Sequence, residues 1–371
     1  MFRAYDIARK TVKRIAPYSP GKNSEEVKRE FGLTEITKLA SNENPLGPSP
    51  RAVEAICAAA ADVGVYPDPL CTELTGVLAK HLGVLPDNIL IGRGSDEILH
   101  MLGLAFVSPG DDVVFSQFPF AMYRIIPCLQ GANLIEVPAR GFDHDLDAIA
   151  NAITDRTRLV FIGNPCNPTG TIVKSDQVER FMSRVPETTV IAFDEAYFEY
   201  VDDPDFPDTL AYVRRGRRVA VLRTFSKVYA LAGLRIGYGI CGRGVADALK
   251  QVLEPFNISS IAQVAAVASL QDPDQLARSR KMVFDGKAYL YEQFERMGLE
   301  YVPTQTNFIL VNTGVDSRAV FGGLMRRGVT IRTGDIFGLP TWIRVTIGTP
   351  EQNAVFIDTL EAVLEDHAGG R

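Results

Sequence analysis

The sequence predicts an α/β protein in which a mostly parallel central sheet, covered by helices on both faces, is joined to a smaller α+β domain. Three observations predict it. At 371 residues the chain is too long for one simple core, which favours two domains. From about residue 50 to 270, short β-branched runs alternate with helical patterns, as in a parallel sheet whose strands are buried on both faces. After Gln271-Asp272-Pro273-Asp274 the pattern changes to one long amphipathic stretch reaching Met297, and new strands follow it. The predicted division is an N-terminal arm over 1–44 that completes the small domain, a large domain over 45–275 and a small C-terminal domain over 276–371.

Composition excludes several classes of function. Hydrophobic residues make up 46% and charged residues 23%, which describes an ordinary globular chain. A net charge of −6 argues against nucleic acid or an anionic membrane as partner. No apolar run reaches the roughly 18 residues of a spanning helix, and MFRAYDIARK lacks a signal-peptide core. The expectation is a cytoplasmic protein. Five scattered cysteines without a CxxC pair read as reduced thiols, and four dispersed histidines give no metal site.

In chain order, the arm is irregular and ends in Ser41-Asn42-Glu43-Asn44-Pro45-Leu46-Gly47. Strands are predicted at Asn88–Ile91, Asp112–Phe115, Arg158–Ile162, Thr189–Phe193 and Arg218–Leu222, then at Thr306–Val311 and Thr341–Ile347. In open parallel sheets, ligands bind beyond the carboxyl ends of the strands. The residues just after each strand are therefore the candidates.

Gly92-Arg93-Gly94-Ser95-Asp96-Glu97 opens a helical run. The glycines permit a tight turn, Ser95 or Asp96 can cap the helix, and a helix N-terminus attracts phosphate; a plain capped turn is the alternative. Phe120, in Gln117-Phe118-Pro119-Phe120, can lie flat on a planar ring or simply pack in the core. Asn164-Pro165-Cys166-Asn167-Pro168-Thr169-Gly170 is a constrained turn that can hold Asn167 as a donor to a ring oxygen. Asp194 ends a buried strand, where a carboxylate is costly unless paired; a protonated ring nitrogen or a structural salt bridge meets that need. Lys227 follows Thr224-Phe225-Ser226, and Arg235 follows in Ala-Gly-Leu-Arg. A lysine so placed can form an imine with an aldehyde, while the hydroxyls and the guanidinium bind a phosphate. Together these signals match the needs of pyridoxal 5'-phosphate, an aldehyde cofactor held by a lysine and an acidic partner.

With these motifs the chain resembles the fold-type I pyridoxal-phosphate aminotransferases over essentially its whole length, and within them the histidinol-phosphate aminotransferase branch. The marks are SNENPLG (41–47), Tyr66-Pro67, GRGSDE (92–97), NPTG (167–170), DEAY (194–197), TFSK (224–227), AGLRIGY (232–238), TNFIL (306–310) and IRVTIGT (343–349). The resemblance implies the fold of that type and a cofactor-binding role for the large domain. It implies that Lys227 tethers the cofactor, Asp194 pairs with the ring nitrogen, Asn167 and Tyr197 contact the ring oxygen, and Phe120 stacks on the ring. Gly94, Ser95, Thr224, Ser226 and Arg235 hold the phosphate, joined by Tyr66 from the other subunit of a homodimer. Tyr18, Asn44, Arg332 and Arg344 bind substrate: Arg344 takes the α-carboxylate of the amino donor and, with Arg332 and Tyr18, the substrate phosphate. Two departures stand out: Phe120 replaces a common tyrosine, and Arg332-Thr333-Gly334 replaces a common Arg-Pro.

The implied reaction passes an amino group from an amino donor to a 2-oxo acid, histidinol phosphate and 2-oxoglutarate being the expected pair. The alternatives are an aromatic amino-acid aminotransferase and an O-phospho-amino-acid decarboxylase. A cofactor-sensing regulator would need a DNA-binding domain for which 371 residues leave no room. Gly237-Tyr238-Gly239-Ile240-Cys241-Gly242 fits GxGxxG, but it does not open a strand-turn-helix unit and has no acidic residue about 20 positions on.

Overall fold

The computed structural model describes residues 4–15 and 24–369. Tyr18 lies outside the described residues. In chain order the strands are β1 (Thr37–Lys38), β2 (Ile89–Gly92), β3 (Asp112–Ser116), β4 (Asn133–Val137), β5 (Thr157–Gly163), β6 (Val190–Asp194) and β7 (Val219–Thr224). They continue as β8 (Gly237–Cys241), β9 (Glu300–Val302), β10 (Phe308–Asn312), β11 (Val329–Thr330), β12 (Arg332–Thr333) and β13 (Trp342–Thr346).

Seven strands form the central sheet in the order β2-β8-β7-β6-β5-β3-β4. Only β8 runs against its neighbours. Strands β5, β6 and β7 are buried almost throughout because helices cover both faces, which is why they read as unbroken apolar runs. The sequence reading omitted β4 and β8. Strand β4 lies at the sheet edge and mixes polar with apolar residues, so no period stands out. Strand β8 is Gly-Tyr-Gly-Ile-Cys, a composition of low strand propensity that only its neighbours hold in place.

The GxGxxG match is thus a strand. A Cβ on Gly237 would sit 2.6 Å from the Ser95 backbone nitrogen and 2.7 Å from the Gly94 carbonyl carbon. That glycine lets the turn after β2 lie against the sheet.

The second sheet, β12-β13-β10-β9, is antiparallel throughout. The long helix Pro273–Arg296 precedes it, capped by the Asp272 side chain accepting from the Gln275 N–H. The N-terminal segment docks on this part of the chain, since β1 pairs in parallel with β11.

Candidate active site

The carboxyl ends of β3, β5, β6 and β7, the turn after β2 and the segment after β1 surround one cavity of about 1320 Å³. Gly94, Ser95, Phe120, Asn167, Asp194, Tyr197, Thr224, Ser226, Lys227, Arg235, Arg332 and Arg344 all line it. Basic lining side chains outnumber acidic ones seven to four, the reverse of the whole chain's net charge of −6. The cavity therefore favours anions although the chain as a whole is acidic.

At the phosphate end, the helix Ser95–Phe106 starts at Gly94, and no side chain caps it. The expected Ser95 or Asp96 cap is thus corrected: the first N–H groups of the helix are left to face the cavity, where they attract an anion. Gly94 has φ +76°, and a Cβ there would lie 2.9 Å from Arg235 Nη2. Arg235 is itself left-handed at φ +53°, and its guanidinium lies 3.6 Å from the Asp96 carboxylate. The Ser226 N–H donates to Thr224 Oγ1 at 3.1 Å, which folds the segment before Lys227 into a tight turn.

Lys227 Nζ donates to the Ser41 carbonyl at 3.3 Å and stands 5.6 Å from the centre of the Tyr197 ring. Burial, reinforced by the positive charge of Arg344, pushes its amine down to about 8. Asp194 is buried at the end of β6. Its Oδ2 accepts from the Tyr123 hydroxyl at 2.8 Å, while Oδ1 is buried with no hydrogen-bond partner among the described residues. Burial pushes this carboxyl up to about 6, against the pull of the Tyr123 bond.

The Tyr197 hydroxyl accepts from Asn42 Nδ2 at 2.9 Å and from Asn167 Nδ2 at 3.4 Å. Arg344 Nη1 donates to Asn167 Oδ1 at 2.5 Å, so the Asn167 amide is oriented with its nitrogen toward Tyr197. Arg344 Nη2 also donates to the Ala40 carbonyl at 3.0 Å. Arg332 and Arg344 are direct cross-strand partners on β12 and β13, so both point to the cavity side of that sheet. Phe120 lines the cavity and meets Tyr123 edge-on, ring centres 5.9 Å apart.

Asn44 requires a correction. Its Nδ2 donates to the Val228 carbonyl and to Ser279 Oγ, both at 2.8 Å, and its Oδ1 accepts from the Leu46 N–H. Its polar atoms hold the chain together and it does not line the cavity; its neighbour Asn42 does. Tyr66 is 79% exposed, stacked on Phe256 with ring centres 4.6 Å apart, and lies outside the cavity of its own chain. Sequence reasoning missed Asn42 and Tyr123. Tyr123 sits one helical turn after Phe120, a spacing that offered a usable signal.

The residues fit pyridoxal phosphate. A protonated ring nitrogen satisfies the partnerless Asp194 Oδ1, and the uncapped helix with Thr224, Ser226 and Arg235 forms a phosphate cradle. Among the described residues no group of three or more His, Cys, Asp or Glu side chains is arranged to hold a metal ion, and no helix is long and apolar enough to cross a membrane.

Comparison with known proteins agrees with this geometry. The family model "Aminotransferase class I and II" matches residues 34–360. A histidinol-phosphate aminotransferase of Moorella thermoacetica is 51% identical over 96% of this chain and 92% of its own. One from Nitrosococcus oceani is 44% identical, with 98% of each chain covered. The crystal structure of histidinol-phosphate aminotransferase from Sinorhizobium meliloti, in complex with pyridoxal-5'-phosphate, superposes with a TM-score of 0.90 at 30% identity, covering 98% of this chain and 99% of that one. The chain therefore belongs to the class I and II aminotransferases, pyridoxal-phosphate enzymes of fold type I.

Proposed function

We propose that this enzyme transfers the amino group of histidinol phosphate to 2-oxoglutarate in histidine biosynthesis, through two half-reactions at one site. The observation that carries the substrate is the facing pair Arg332 and Arg344. The two arginines stand at facing strand positions and both line the cavity, so a dianionic phosphate there would receive charge-assisted contacts from both guanidinium groups. The relatives named for this activity, at 44–51% identity, support the same reading.

Bound in the cavity, pyridoxal phosphate supplies an aldehyde for the donor's amine and a protonated ring that takes up the electron pair released at Cα. The protein's residues do the rest. Lys227 Nζ would take the proton from Cα and deliver it to the cofactor carbon that carried the aldehyde; an amine held near 8 is neutral often enough to act as a base at physiological pH. Asp194 Oδ1 accepts the ring N–H and keeps that nitrogen protonated, with Tyr123 fixing the carboxylate from the other side. Asn167 and Tyr197 hold the ring oxygen, Phe120 covers one ring face, and Gly94, Ser95, Thr224, Ser226 and Arg235 hold the phosphate. Arg344 receives glutamate's α-carboxylate in one half-reaction and, with Arg332, the substrate phosphate in the other. Tyr18 completes that pocket in this reading.

The active unit is a homodimer in which Tyr66 reaches the partner's cofactor phosphate. Its exposure, beside Val63, Val65 and Leu70 at 59%, 74% and 74%, supports an apolar surface that a second copy covers. Residues 45–275 hold the cofactor, and 276–371 with 1–44 form the smaller domain, a division supported by the seven-stranded sheet, whose strands all fall within 45–275, and by the four-stranded and β1–β11 sheets, whose strands all fall outside it. Five free cysteines support the cytoplasm as its place of work, and a net charge of −6 supports small molecules rather than nucleic acid or membrane as partners.

The test is to assay histidinol phosphate, phenylalanine, tyrosine and an O-phospho amino acid with 2-oxoglutarate. Histidinol phosphate is expected to have the highest kcat/KM. Preference for the aromatic amino acids, or release of carbon dioxide from the phospho amino acid, overturns the assignment.

A further inference from the structure

Directly behind the cavity wall lies an ion pair that touches none of the space in front of it. Glu195 is fully buried and the Arg223 side chain is 6% exposed. Arg223 donates from Nε at 3.0 Å and from Nη2 at 2.8 Å, both to Glu195 Oε2. Thr209 Oγ1 donates to the other carboxylate oxygen, and the guanidinium carbon lies 3.4 Å from the centre of the Phe198 ring. Neither charged residue lines the cavity.

Their place in the sheet matters more than their burial. Strands β6 and β7 are paired up to Asp194 opposite Leu222, and the ladder ends with the Glu195 N–H donating to the Leu222 carbonyl at 2.8 Å. Beyond that point β7 pairs with β8 alone, Arg223 opposite Tyr238 and Thr224 opposite Gly237. The two strand tips would be free to separate there, and the side-chain pair spans the gap. Glu195 is the residue after Asp194; Arg223 is the residue before Thr224 and four before Lys227. Because side chains alternate along a strand, the pair bonds on one face while Asp194 and Thr224 project from the other.

A buried ion pair adds little net stability over apolar residues of similar volume. Its two-pronged geometry does fix a distance and an orientation. Resting on the pyridoxal-phosphate reading above, we propose that Glu195 and Arg223 are positioning residues that set the spacing between Asp194 and the Thr224–Lys227 segment. They act through those neighbours on how tightly the cofactor is held and on how well Lys227 is aimed. Misplacing a reacting group by about 1 Å costs on the order of 100-fold in rate, so a loosened tip is expected to appear in kcat.

The experiment compares wild type with the charge-free double variant Glu195→Gln/Arg223→Met and with Arg223→Lys, which keeps the charge but loses the fork. Each protein is stripped of cofactor, its unfolding midpoint is measured, and pyridoxal phosphate is titrated back while the visible band is followed. The double variant is expected to keep the apoprotein midpoint within a few degrees. Its cofactor dissociation constant should rise about tenfold or more, with kcat down on the order of 100-fold and donor KM within about threefold. Arg223→Lys should show the same changes at smaller size. A double variant with wild-type cofactor affinity and kcat overturns the proposal. If the double variant does not fold, Arg223→Lys decides: a wild-type dissociation constant refutes positioning, and a weakened one at an unchanged midpoint supports it. Wild-type protein that forms no visible band would overturn the cofactor reading instead.

Discussion

Tyr123 donates its hydroxyl hydrogen to Asp194 Oδ2 at 2.8 Å, while Oδ1 of the same carboxylate is buried with no hydrogen-bond partner among the described residues. The carboxylate is thus gripped through one oxygen at the wall of the cavity. In the cofactor-free protein this arrangement opposes folding, because burial raises the carboxyl from 3.8 to about 6. The folded form favours the proton, so the contribution to stability is full below about 3.8 and lost as the pH rises through about 6. Two pH units amount to up to about 3 kcal/mol. Asp194→Asn removes the charge and should raise the urea midpoint of the apoprotein above pH 6, a gap that closes toward pH 4. The same variant should lose turnover by orders of magnitude. An equal or lower midpoint at pH 8 would show that the carboxylate is not costly.

Lys227 gives a kinetic prediction. Only the neutral amine attacks an aldehyde, and burial lowers this amine to about 8. The rate at which apoprotein and pyridoxal phosphate develop the visible band should therefore rise with pH, pass its half-maximum near 8 and level off above it. An ordinary exposed lysine would carry the rise on to about 10.4. Lys227→Ala should develop no such band, should incorporate no label after borohydride reduction and should show no turnover.

The cross-strand arginines should separate by half-reaction. Arg344→Gln is expected to raise the KM of both glutamate and histidinol phosphate, by about 10- to 100-fold, the equivalent of about 1.4–2.7 kcal/mol. Arg332→Gln should do so for histidinol phosphate only. Steady-state kinetics of each half-reaction check this; equal effects of Arg332→Gln on both donors would remove it from the phosphate pocket.

Gly94 carries the phosphate turn at φ +76°, where an added Cβ meets Arg235 Nη2 at 2.9 Å. Gly94→Ala should cost roughly 1–2 kcal/mol of stability from backbone strain. It should also displace Arg235, so cofactor affinity is expected to fall more than stability alone accounts for. Calorimetry of the apoprotein and a cofactor titration separate the two effects.

Much of the fold was legible because it is local. Strands β3, β5, β6 and β7 are short, mostly apolar runs, and the helix Pro273–Arg296 has a plain start signal in Asp272-Pro273. The strand-end residues were legible for the same reason, since a parallel sheet places its ligand where its strands stop. Strands β4 and β8 were not legible: an edge position and a glycine-rich composition leave no period to read.

By itself, the sequence determined the alternation of buried strands with helices and the residue types at the strand tips, because periodicity and turn chemistry act over a few neighbouring positions. Only the tertiary structure decided that Asn42 rather than Asn44 reaches Tyr197, across 155 residues, and that Tyr123 grips Asp194, across 71. It also decided that Arg332 faces Arg344 and that Glu195 meets Arg223. These pairings depend on strand register and on which side chain turns inward, and both are set only once distant segments pack against one another.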